Sequence, residues 1–415
     1  MAHCQYRKTR IVCVSDTHNT TPPLPKGDVL IHAGDLTNQG TLSELERAIE
    51  WISKAPYEVK IVIAGNHDIT LDLPFYTEHG LSFHNQHPQD PLQCIDLVQK
   101  AQGITYLNHT SKHIRLTDPA GPQTHFRVFG SPYSPDTKGD WAFRYAPDSA
   151  QATQLWSQIP PTADIVVTHT PPHMHCDRTV TKAHRGCEEL RRALWRVRPK
   201  LLVCGHLHEG RGVEKVRWSI DDNAAVAASA SAATPLAPFA EESTRVWVDP
   251  GRGDGNRKLS AVDLTAAGNF CLDHGGSGVA VGLDGTDEGK ILGAETQEHV
   301  QRSGDADAED GLSLVRKSAA LKEVDASLCG DMVKAKAKSK STNPRNSSAF
   351  TPVADDRGTN QVWSRNDMEA RLGRRETCIV NAAIMANSWG GPKRFNKPIV
   401  VSIDLPVWED WGGGR

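Results

Sequence analysis

Residues 58–68 read EVKIVIAGNHD, an apolar and β-branched run that passes directly into a polar turn. The run predicts a buried strand, and the Gly-Asn pair predicts the turn that ends it. The same design recurs in RIVCVS (10–15), VLIHAGD (29–35), ADIVVTHTPP (163–172) and KLLVCGHLHEG (200–210). Strands that alternate with turns and helices in this way predict an α/β fold whose functional side chains gather at strand ends.

A helix is predicted after the second of these strands. Thr41 and Glu44 have the spacing of a capping box, in which two side chains satisfy backbone N–H groups at the start of a helix. Apolar residues then share one face through about Lys54: Leu42, Leu45, Ile49 and Ile52. Further helical patterns lie near 148–158 and around 186–197, between later strands.

The composition changes after Ile220. Hydrophobic residues make up 38% of the 415 residues, which indicates a folded part diluted by a polar part. Residues 251–375 are rich in Gly, Asp, Lys and Ser and bury too little apolar surface to offset their ordering entropy. We therefore predict a mostly disordered, low-complexity insertion over 223–375, with a weak β pair around TRVWVD (244–249) and KLSAVDL (258–264).

Order is predicted to return near the end of the chain. TCIVNAAIMANS (377–388) and KPIVVSIDLP (397–406) are two β-rich stretches separated by a Gly/Pro turn. Two such strands need a partner sheet, so we expect them to complete the domain that the first part of the chain begins. The predicted organisation is one discontinuous domain, an insertion and a tail: residues 1–222, the insertion 223–375, the final strands 376–408 and the tail 409–415.

Charge and cysteine usage exclude several classes of protein. The net charge of −3 argues against nucleic acid as a partner, and the basic run over 334–341 is interpreted as a solvated linker. No apolar run is long enough for a membrane span, and the first residues lack a signal peptide's apolar stretch. Nine cysteines without a CxxC pair predict reduced thiols. We expect a protein of the cytoplasm or nucleus; the sequence leaves the oligomeric state open.

Four short motifs and one histidine follow the predicted strands: Asp16-Thr17-His18, Gly34-Asp35, Gly65-Asn66-His67-Asp68, His169 and Gly205-His206-Leu207-His208. Each motif taken alone is also ordinary turn chemistry, and a single histidine is more often a satisfied polar residue than a ligand. All five occur in order, each after a β-like run. The combination favours one shared metal site.

The candidate ligands offer only oxygen and imidazole nitrogen, which suit Mn, Fe or Zn rather than soft, thiophilic metals. They are too many for one ion with an open position. Seven ligands are the number expected for two divalent or trivalent ions that share one carboxylate. Such a pair of ions can stabilise both the attacking and the leaving oxygen of an in-line phosphoryl displacement. The predicted ligands are Asp16, His18, Asp35, Asn66, His169, His206 and His208.

These motifs together resemble the complete signature of the calcineurin-like metallophosphoesterases. Further stretches resemble the metallophosphoesterase-domain-containing branch: GSPYSPDTKGDWAF (130–143), GHLHEGRG (205–212) and the late VNAA (380–383) and NKPIVVSIDLP (396–406). The resemblance covers about residues 8–220 and 377–406 and none of the insertion. It implies a four-layer αββα sandwich in which the two late strands are the final strands of the fold.

The resemblance also implies roles for the site residues. One ion would be held by Asp16, His18, Asp35 and His208, and the other by Asp35, Asn66, His169 and His206, with Asp35 bridging the two. His67 matches the catalytic histidine of the family, which is not a ligand. A metal-bridging hydroxide would attack phosphorus, and His67 would protonate or hydrogen-bond the leaving oxygen.

One departure from the protein Ser/Thr phosphatases narrows the substrate class. Their second motif continues as GDxxDRG, in which the later Asp orients the catalytic histidine and the Arg grips phosphate. This chain has Asn38-Gln39-Gly40 at those positions, and Asp68 where those enzymes have Glu. A neutral Asn38 cannot raise the pKa of a histidine as a carboxylate would. Protein phosphatase activity is therefore disfavoured.

The sequence thus predicts a metal-dependent hydrolase of small phosphate esters, with phosphodiesters such as cyclic nucleotides as the favoured substrates. Trp141 and Asn381 are predicted to contact the substrate, although buried aromatic residues are more often part of a core. Two alternatives stay open. One is a phosphomonoesterase or nuclease of the same fold; the other is a metal-stabilised interaction module in which the insertion is the working part.

Overall fold

The computed structural model describes residues 5–136, 141–219, 241–253, 255–273, 373–387 and 393–408. The strands are β1 Tyr6–Val14, β2 Val29–Ala33, β3 Val59–Ile63, β4 Ile104–Tyr106, β5 Thr110–Arg115, β6 His125–Ser131, β7 Ser134–Pro135, β8 Arg144–Tyr145, β9 Ile165–Thr168, β10 Leu201–Cys204, β11 Gly212–Trp218, β12 Glu241–Val246, β13 Ser260–Asp263, β14 Glu376–Asn381 and β15 Ile399–Pro406. The helices are α1 Leu42–Lys54, α2 Leu73–Phe83, α3 Pro91–Gln99, α4 Ala150–Ser157 and α5 Glu188–Val197.

Two β-sheets share one apolar core. The first has the order β13-β15-β1-β2-β3-β4, and the second β12-β11-β14-β10-β9-β6-β5. Buried side chains from both sheets, such as Ile31 and Ile61 of the first and Val167 and Val203 of the second, belong to one cluster. Helix α1 packs on the outer face of the first sheet through Ala48 and Ile52. The helices and sheets give the predicted αββα arrangement.

Helix α1 forms as its sequence predicts. The Thr41 hydroxyl accepts a hydrogen bond from the Glu44 N–H, and the Glu44 side chain accepts one from the Thr41 N–H, which completes the capping box. The helix runs from Leu42 to Lys54 and buries Leu45, Ala48, Ile49 and Ile52. This helix therefore fixes the loop that carries residues 34–40 at the end of β2.

The parallel strands position the site. β1, β2 and β3 run parallel in the first sheet, and β9, β10 and β14 run parallel in the second. The carboxyl ends of parallel neighbours meet at one edge of a sheet. Because the two sheets share a core, the loops after β1, β2, β3, β9 and β10 converge.

The two late strands lie inside the sheets rather than at their edges. β14 is hydrogen-bonded between β10 and β11, and β15 between β1 and β13. Eight residue pairs join β1 to β15, from Tyr6 opposite Pro406 to Cys13 opposite Ile399. Both sheets therefore depend on strands from the end of the chain.

The predicted weak β pair within 223–375 takes a different form. Residues 241–246 form β12, which pairs with β11, whereas residues 260–263 form β13, which pairs with β15. The two segments are strands in different sheets and do not pair with each other. Their short alternating patterns indicate strands but carry no information about the partner. Residues 247–253, 255–259 and 264–273 are described outside these two strands, and the remaining residues of 223–372 lie outside the described residues.

Two further sequence expectations can be compared with the structure. The seven cysteines of the described residues are all free thiols, and six of them are buried. In the same part of the chain, no helix combines the length and apolar character that a membrane span requires.

We expect residues 274–372 to be dispensable for folding. The Asp273 N–H donates to the Glu376 carboxylate at 2.7 Å, so the two ends of this segment lie close together. Replacing 274–372 by a short Gly/Ser linker should leave a cooperative thermal transition. A chain that stops at Ser219 should lose it, because β14 and β15 are interior strands whose removal exposes unpaired edges. Circular dichroism melts of both variants test this; a 1–219 fragment that melts like the full chain would contradict it.

Candidate metal centre

The predicted ligands lie in the first few residues after their strands. Asp16 follows β1, Asp35 follows β2, and Asn66 follows β3 in the first sheet. In the second sheet, His169 comes directly after β9 and His206 two residues after the end of β10. Six of the seven predicted ligands are buried, and His206 is half-buried. The fold thus brings together residues that are as much as 192 positions apart in sequence, Asp16 and His208.

The backbone at several of these positions is in a conformation that side-chain-bearing residues seldom adopt. Asp16, His18, Asp35 and His206 have φ values of 50°, 42°, 53° and 66°. Left-handed backbone at a non-glycine residue costs free energy and concentrates at functional sites. The surrounding structure holds four of the seven predicted ligands in this region, which indicates that their side-chain directions are fixed.

The loops also approach each other closely. A Cβ atom on Gly205 would lie 1.9 Å from the Ser15 Oγ and 2.1 Å from the Asp16 Oδ2. The His206 N–H donates to both carboxylate oxygens of Asp16, each at 3.0 Å. Only glycine at 205 therefore allows the loop after β10 to reach the loop after β1.

One group of ligand atoms consists of Asp16, His18 and His208, whose atoms all lie within 4.8 Å of one another. His18 Nε2 and His208 Nε2 are 3.3 Å apart. His208 Nε2 is also 3.3 Å from Asp16 Oδ1. Asp35 Oδ2 lies 3.7 Å from His18 Nε2. These four residues are the set that the family resemblance implies for one ion.

A second group of ligand atoms includes Asp35. Asp16, Asp35 and His169 offer ligand atoms within 4.8 Å of one another. His169 Nε2 is 3.3 Å from Asp35 Oδ2 and 3.0 Å from Asn66 Oδ1. The ring of His206 lies 5.0 Å from that of His169, measured between centroids. Asp16 is common to the two groups, and Asp35 Oδ2 lies near one histidine of each, His18 and His169.

The histidines are oriented in the manner of metal ligands. Nδ1 of His18, His169 and His208 donates to the backbone carbonyls of Thr37, Ala33 and Asn387 at 3.1, 2.9 and 3.3 Å. A carbonyl oxygen only accepts, so Nδ1 carries a proton and Nε2 is the nitrogen that faces the centre. Metal-bound histidines characteristically make this contact with their second nitrogen.

The converging atoms need positive charge between them. Two neutral imidazoles would face each other with lone pairs 3.3 Å apart, beside the carboxylates of Asp16 and Asp35. Burial is the largest influence on His208 and would lower its pKa, but the hydrogen bond with Asp16 raises it to about 9. Burial likewise opposes the charged form of His169, and Asp35 raises its pKa to about 9. The donor set fits hard, divalent or trivalent cations.

The carboxylates are held in their ionised form. Burial would raise the pKa of Asp16, but the hydrogen bond with His208 and nearby histidine charge lower it to about 2. For Asp35, burial is again opposed by His169 and His67, and the pKa falls well below its usual value. Both carboxylates are therefore anionic at neutral pH and able to bind cations.

His67 lies beside the centre, and one of its ring nitrogens is already hydrogen-bonded. Its Nδ1 donates to the backbone carbonyl of Asn38 at 2.8 Å, and its N–H donates to Asp35 Oδ1 at 2.8 Å. The His67 ring packs against the half-buried Trp141 ring at 4.0 Å between centroids. A ring nitrogen of His67, a ring nitrogen of His18 and a carboxylate oxygen of Asp35 also lie within 4.8 Å of one another. Asn38 thus orients His67 through its main chain rather than through its side chain.

Asp68 links the loops after β2 and β3 by hydrogen bonds. Its Oδ1 accepts hydrogen bonds from the Thr37 N–H and hydroxyl, and its Oδ2 accepts from the N–H groups of Leu36 and Gly65. Four donors on one buried carboxylate fix the relative position of Asp35 and Asn66. Asp68 stands out in the sequence as the last residue of the GNHD motif, but no sequence pattern predicts its four hydrogen-bond donors.

Asn381 does not face the substrate side as predicted. It is fully buried, and its side-chain N–H groups donate to the carbonyls of Cys176 and Leu207 at 3.0 and 2.9 Å. Its oxygen accepts from the Ala383 N–H at 3.2 Å. The side chain therefore positions the loop that carries His206 and His208. Trp141, the other predicted substrate contact, lies next to His67.

Asn381→Ala should therefore destabilise the fold more than it weakens substrate binding. Losing two buried donor contacts should lower the free energy of unfolding by about 1–3 kcal/mol, because two carbonyls lose their partners. Denaturant unfolding measures this, with Asn396→Ala as a control that removes one side-chain bond, to the Ala383 carbonyl. A raised KM with unchanged stability would instead support the substrate contact.

Comparison with known proteins places these residues in a family. The calcineurin-like phosphoesterase family model matches residues 9–210. Metallophosphoesterase domain-containing protein 1 of Homo sapiens is 42% identical over 212 residues, 49% of this chain and 62% of that protein. UPF0046 protein C25E10.12 of Caenorhabditis elegans is 32% identical over 215 residues, 50% of this chain and 71% of that protein.

A third relative is the probable rhamnogalacturonate lyase C of Emericella nidulans, which is 44% identical over 213 residues. The match is 51% of this chain but 18% of that protein. The chain thus spans less than two thirds of the length of this relative and of the human one.

Proposed function

Because the chain belongs to the calcineurin-like phosphoesterase family, in the branch of the metallophosphoesterase domain-containing proteins, we propose that its site is a dinuclear metal centre that hydrolyses phosphate esters, with small or nucleotide phosphodiesters as substrates. The observation that carries the proposal is the convergence of Nε2 atoms and carboxylate oxygens around Asp35, which lies near His18 and His169. That arrangement matches two cation sites with one shared ligand.

The ligand sets follow from the two groups of atoms. Asp16, His18, Asp35 and His208 would hold one ion, and Asp35, Asn66, His169 and His206 the other. When bound, such ions stabilise negative charge on the phosphoryl oxygens and lower the pKa of the attacking water. The backbone carbonyls that accept the Nδ1–H groups of three histidines keep the ligand nitrogens in place before substrate arrives.

In this proposal, His67 is the residue that transfers a proton to the leaving oxygen. The carbonyl of Asn38 fixes the proton on Nδ1, so exchange with the leaving oxygen falls to Nε2. The Trp141 ring limits the directions in which the His67 ring can turn. In this orientation, His67 donates a proton to the leaving group of the ester.

The preference for diesters rests on charge. A phosphate monoester carries about −1.5 to −2 at neutral pH, whereas a diester carries a single negative charge. The second motif has Asn38-Gln39-Gly40 in place of the Asp-Arg-Gly of protein phosphatases, so it supplies no cation to a dianion. A turn without a cation suits the single negative charge of a diester better than the higher charge of a monoester.

A metal-reconstituted assay over three ester classes tests the proposal. Protein loaded with Mn²⁺ is given phosphomonoesters, linear diesters and cyclic nucleotides, and kcat/KM is measured for each. The proposal predicts that diesters or cyclic nucleotides have the higher kcat/KM and that chelator abolishes turnover. Hydrolysis of monoesters alone would favour a phosphomonoesterase. Metal binding without turnover of any ester would favour an interaction module.

A further inference from the structure

A cavity lies beside the loop that follows β1, and its lining contains none of the predicted metal ligands. Its volume is about 660 Å³, within the range of about 300–1,000 Å³ that is typical of small-molecule sites. Residues 20–25, 256–260 and 395–398 line it, together with the buried Ile384. The chain therefore has a cavity of ligand size that the proposed hydrolysis does not use.

The sequence of the first wall explains its stiffness and its apolar character. Residues 20–25 read Thr-Thr-Pro-Pro-Leu-Pro, and proline has a fixed φ and no N–H, so this stretch offers few donors. The carbonyl of Pro25 accepts a hydrogen bond from the Tyr57 hydroxyl, which ties the stretch to the chain before β3. Leu24 packs against the core of the first sheet. The wall is thus held in place from behind.

Two large apolar side chains in the lining are exposed to solvent. Leu259 is 46% exposed and Phe395 is 52% exposed. Single exposed apolar residues are ordinary on a protein surface, but these two line the same concavity as the core residue Ile384. Covering them with an apolar ligand is favourable in proportion to the area removed from water. The cavity therefore favours a ligand with a hydrocarbon body.

The charged residues of the cavity are all cations. Among the described residues that line it, Arg257, Lys258 and Lys397 are basic and none is acidic. The Lys397 ammonium donates to the backbone carbonyls of Asn256 and Lys258, the second at 2.9 Å. An ammonium has three N–H donors, so one is left for a further acceptor. The charge of the lining therefore favours an anionic group on the ligand.

We propose that this cavity binds a free amphiphile with one hydrocarbon chain and a carboxylate. The hydrocarbon chain contacts Leu259 and Phe395, and the carboxylate lies beside the three cations, with which it forms charge-assisted hydrogen bonds. A concave site of this volume encloses one such molecule, whereas a membrane surface would contact only the exposed side chains. Binding is independent of metal, because no predicted metal ligand lines the cavity.

Calorimetry with decanoate tests the proposal on the full chain, once loaded with Mn²⁺ and once treated with chelator. The wild type should bind one decanoate per chain with the same affinity in both states. Leu259→Glu places a carboxylate in the cavity and should weaken binding by more than ~10-fold, because like charges repel. Leu81→Glu, at an exposed leucine of α2 outside the cavity, is the matched control and should bind as the wild type does.

The double variant Arg257→Ala and Lys258→Ala tests the headgroup contact. Loss of hydrogen bonds to a charged group should weaken decanoate binding by roughly 10- to 100-fold. Decanol has the same chain without the charge and should bind equally well to wild type and variant. Both side chains are exposed, so the melting temperature should not change. Equal decanoate binding by the double variant and the wild type would overturn the proposal.

Four other results would also overturn it. The first is a wild type without saturable decanoate binding. Binding that requires Mn²⁺ would place the carboxylate at the metal centre instead. Adsorption to vesicles of phosphatidylcholine and phosphatidylserine, without decanoate binding, would make this surface a membrane contact. Binding that appears only after residues 274–372 are replaced by a linker would assign the cavity to the chain's own residues.

Discussion

Asp35→Asn should lower bound metal and diester turnover more than any substitution of a ligand that contacts one ion. Asp35 Oδ2 lies 3.3 Å from His169 Nε2 and 3.7 Å from His18 Nε2, so one carboxylate serves both groups of ligand atoms. Substitutions of outer-shell partners alone cost about 10- to 100-fold in metal affinity or activity. Loss of the shared ligand should therefore lower turnover by more than ~100-fold.

His18→Ala is the matched comparison, because the family resemblance assigns His18 to one ion only. Asparagine keeps the shape of Asp35 and can still accept from the His67 N–H, so the backbone contact at 2.8 Å survives. Elemental analysis of metal per chain, together with kcat, measures both variants. Two equivalents of metal in the wild type and two in Asp35→Asn would contradict the shared role of Asp35.

His67→Ala should slow substrates according to the leaving group. An aryl leaving group with a pKa near 7 departs without a proton, whereas an alkoxide with a pKa above about 12 needs one. If His67 donates that proton, its removal should slow an alkyl or cyclic diester by ~10²–10⁴-fold and a nitrophenyl ester much less. Bound metal should not change, because the family resemblance places His67 outside both ligand sets.

Trp141→Leu is a useful companion, since it removes the ring that packs on His67 and leaves the imidazole in place. Its effect should have the same dependence on the leaving group but be smaller. Rates for both ester classes in wild type and variants decide the matter. An equal loss for aryl and alkyl esters in His67→Ala would assign His67 to charge stabilisation on the phosphoryl oxygens instead.

The sequence predicted the strand ends because each apolar run and its turn are local features. The stretch EVKIVIAGNHD predicts both the buried strand and the turn that follows it. The capping box of Thr41 and Glu44 is local in the same sense, and the structure contains it as predicted. Such patterns need no knowledge of distant partners, which is why they can be interpreted from one sequence.

Features that depend on distant partners could not be predicted. The left-handed backbone at Asp16 and Asp35 arises because loops from two sheets hold them, and no local pattern favours it. Asn381 was expected at the substrate, but its side chain hydrogen-bonds to backbone carbonyls of two loops that meet only once the chain folds.

The most direct test of the central claim is diester turnover as a function of Mn²⁺ bound per chain, starting from chelator-treated protein. A centre with two ions and a shared Asp35 predicts negligible turnover without metal and full turnover only as binding approaches two equivalents. Turnover that is complete at one equivalent would contradict the dinuclear centre, and undiminished turnover without metal would contradict metal-dependent hydrolysis altogether.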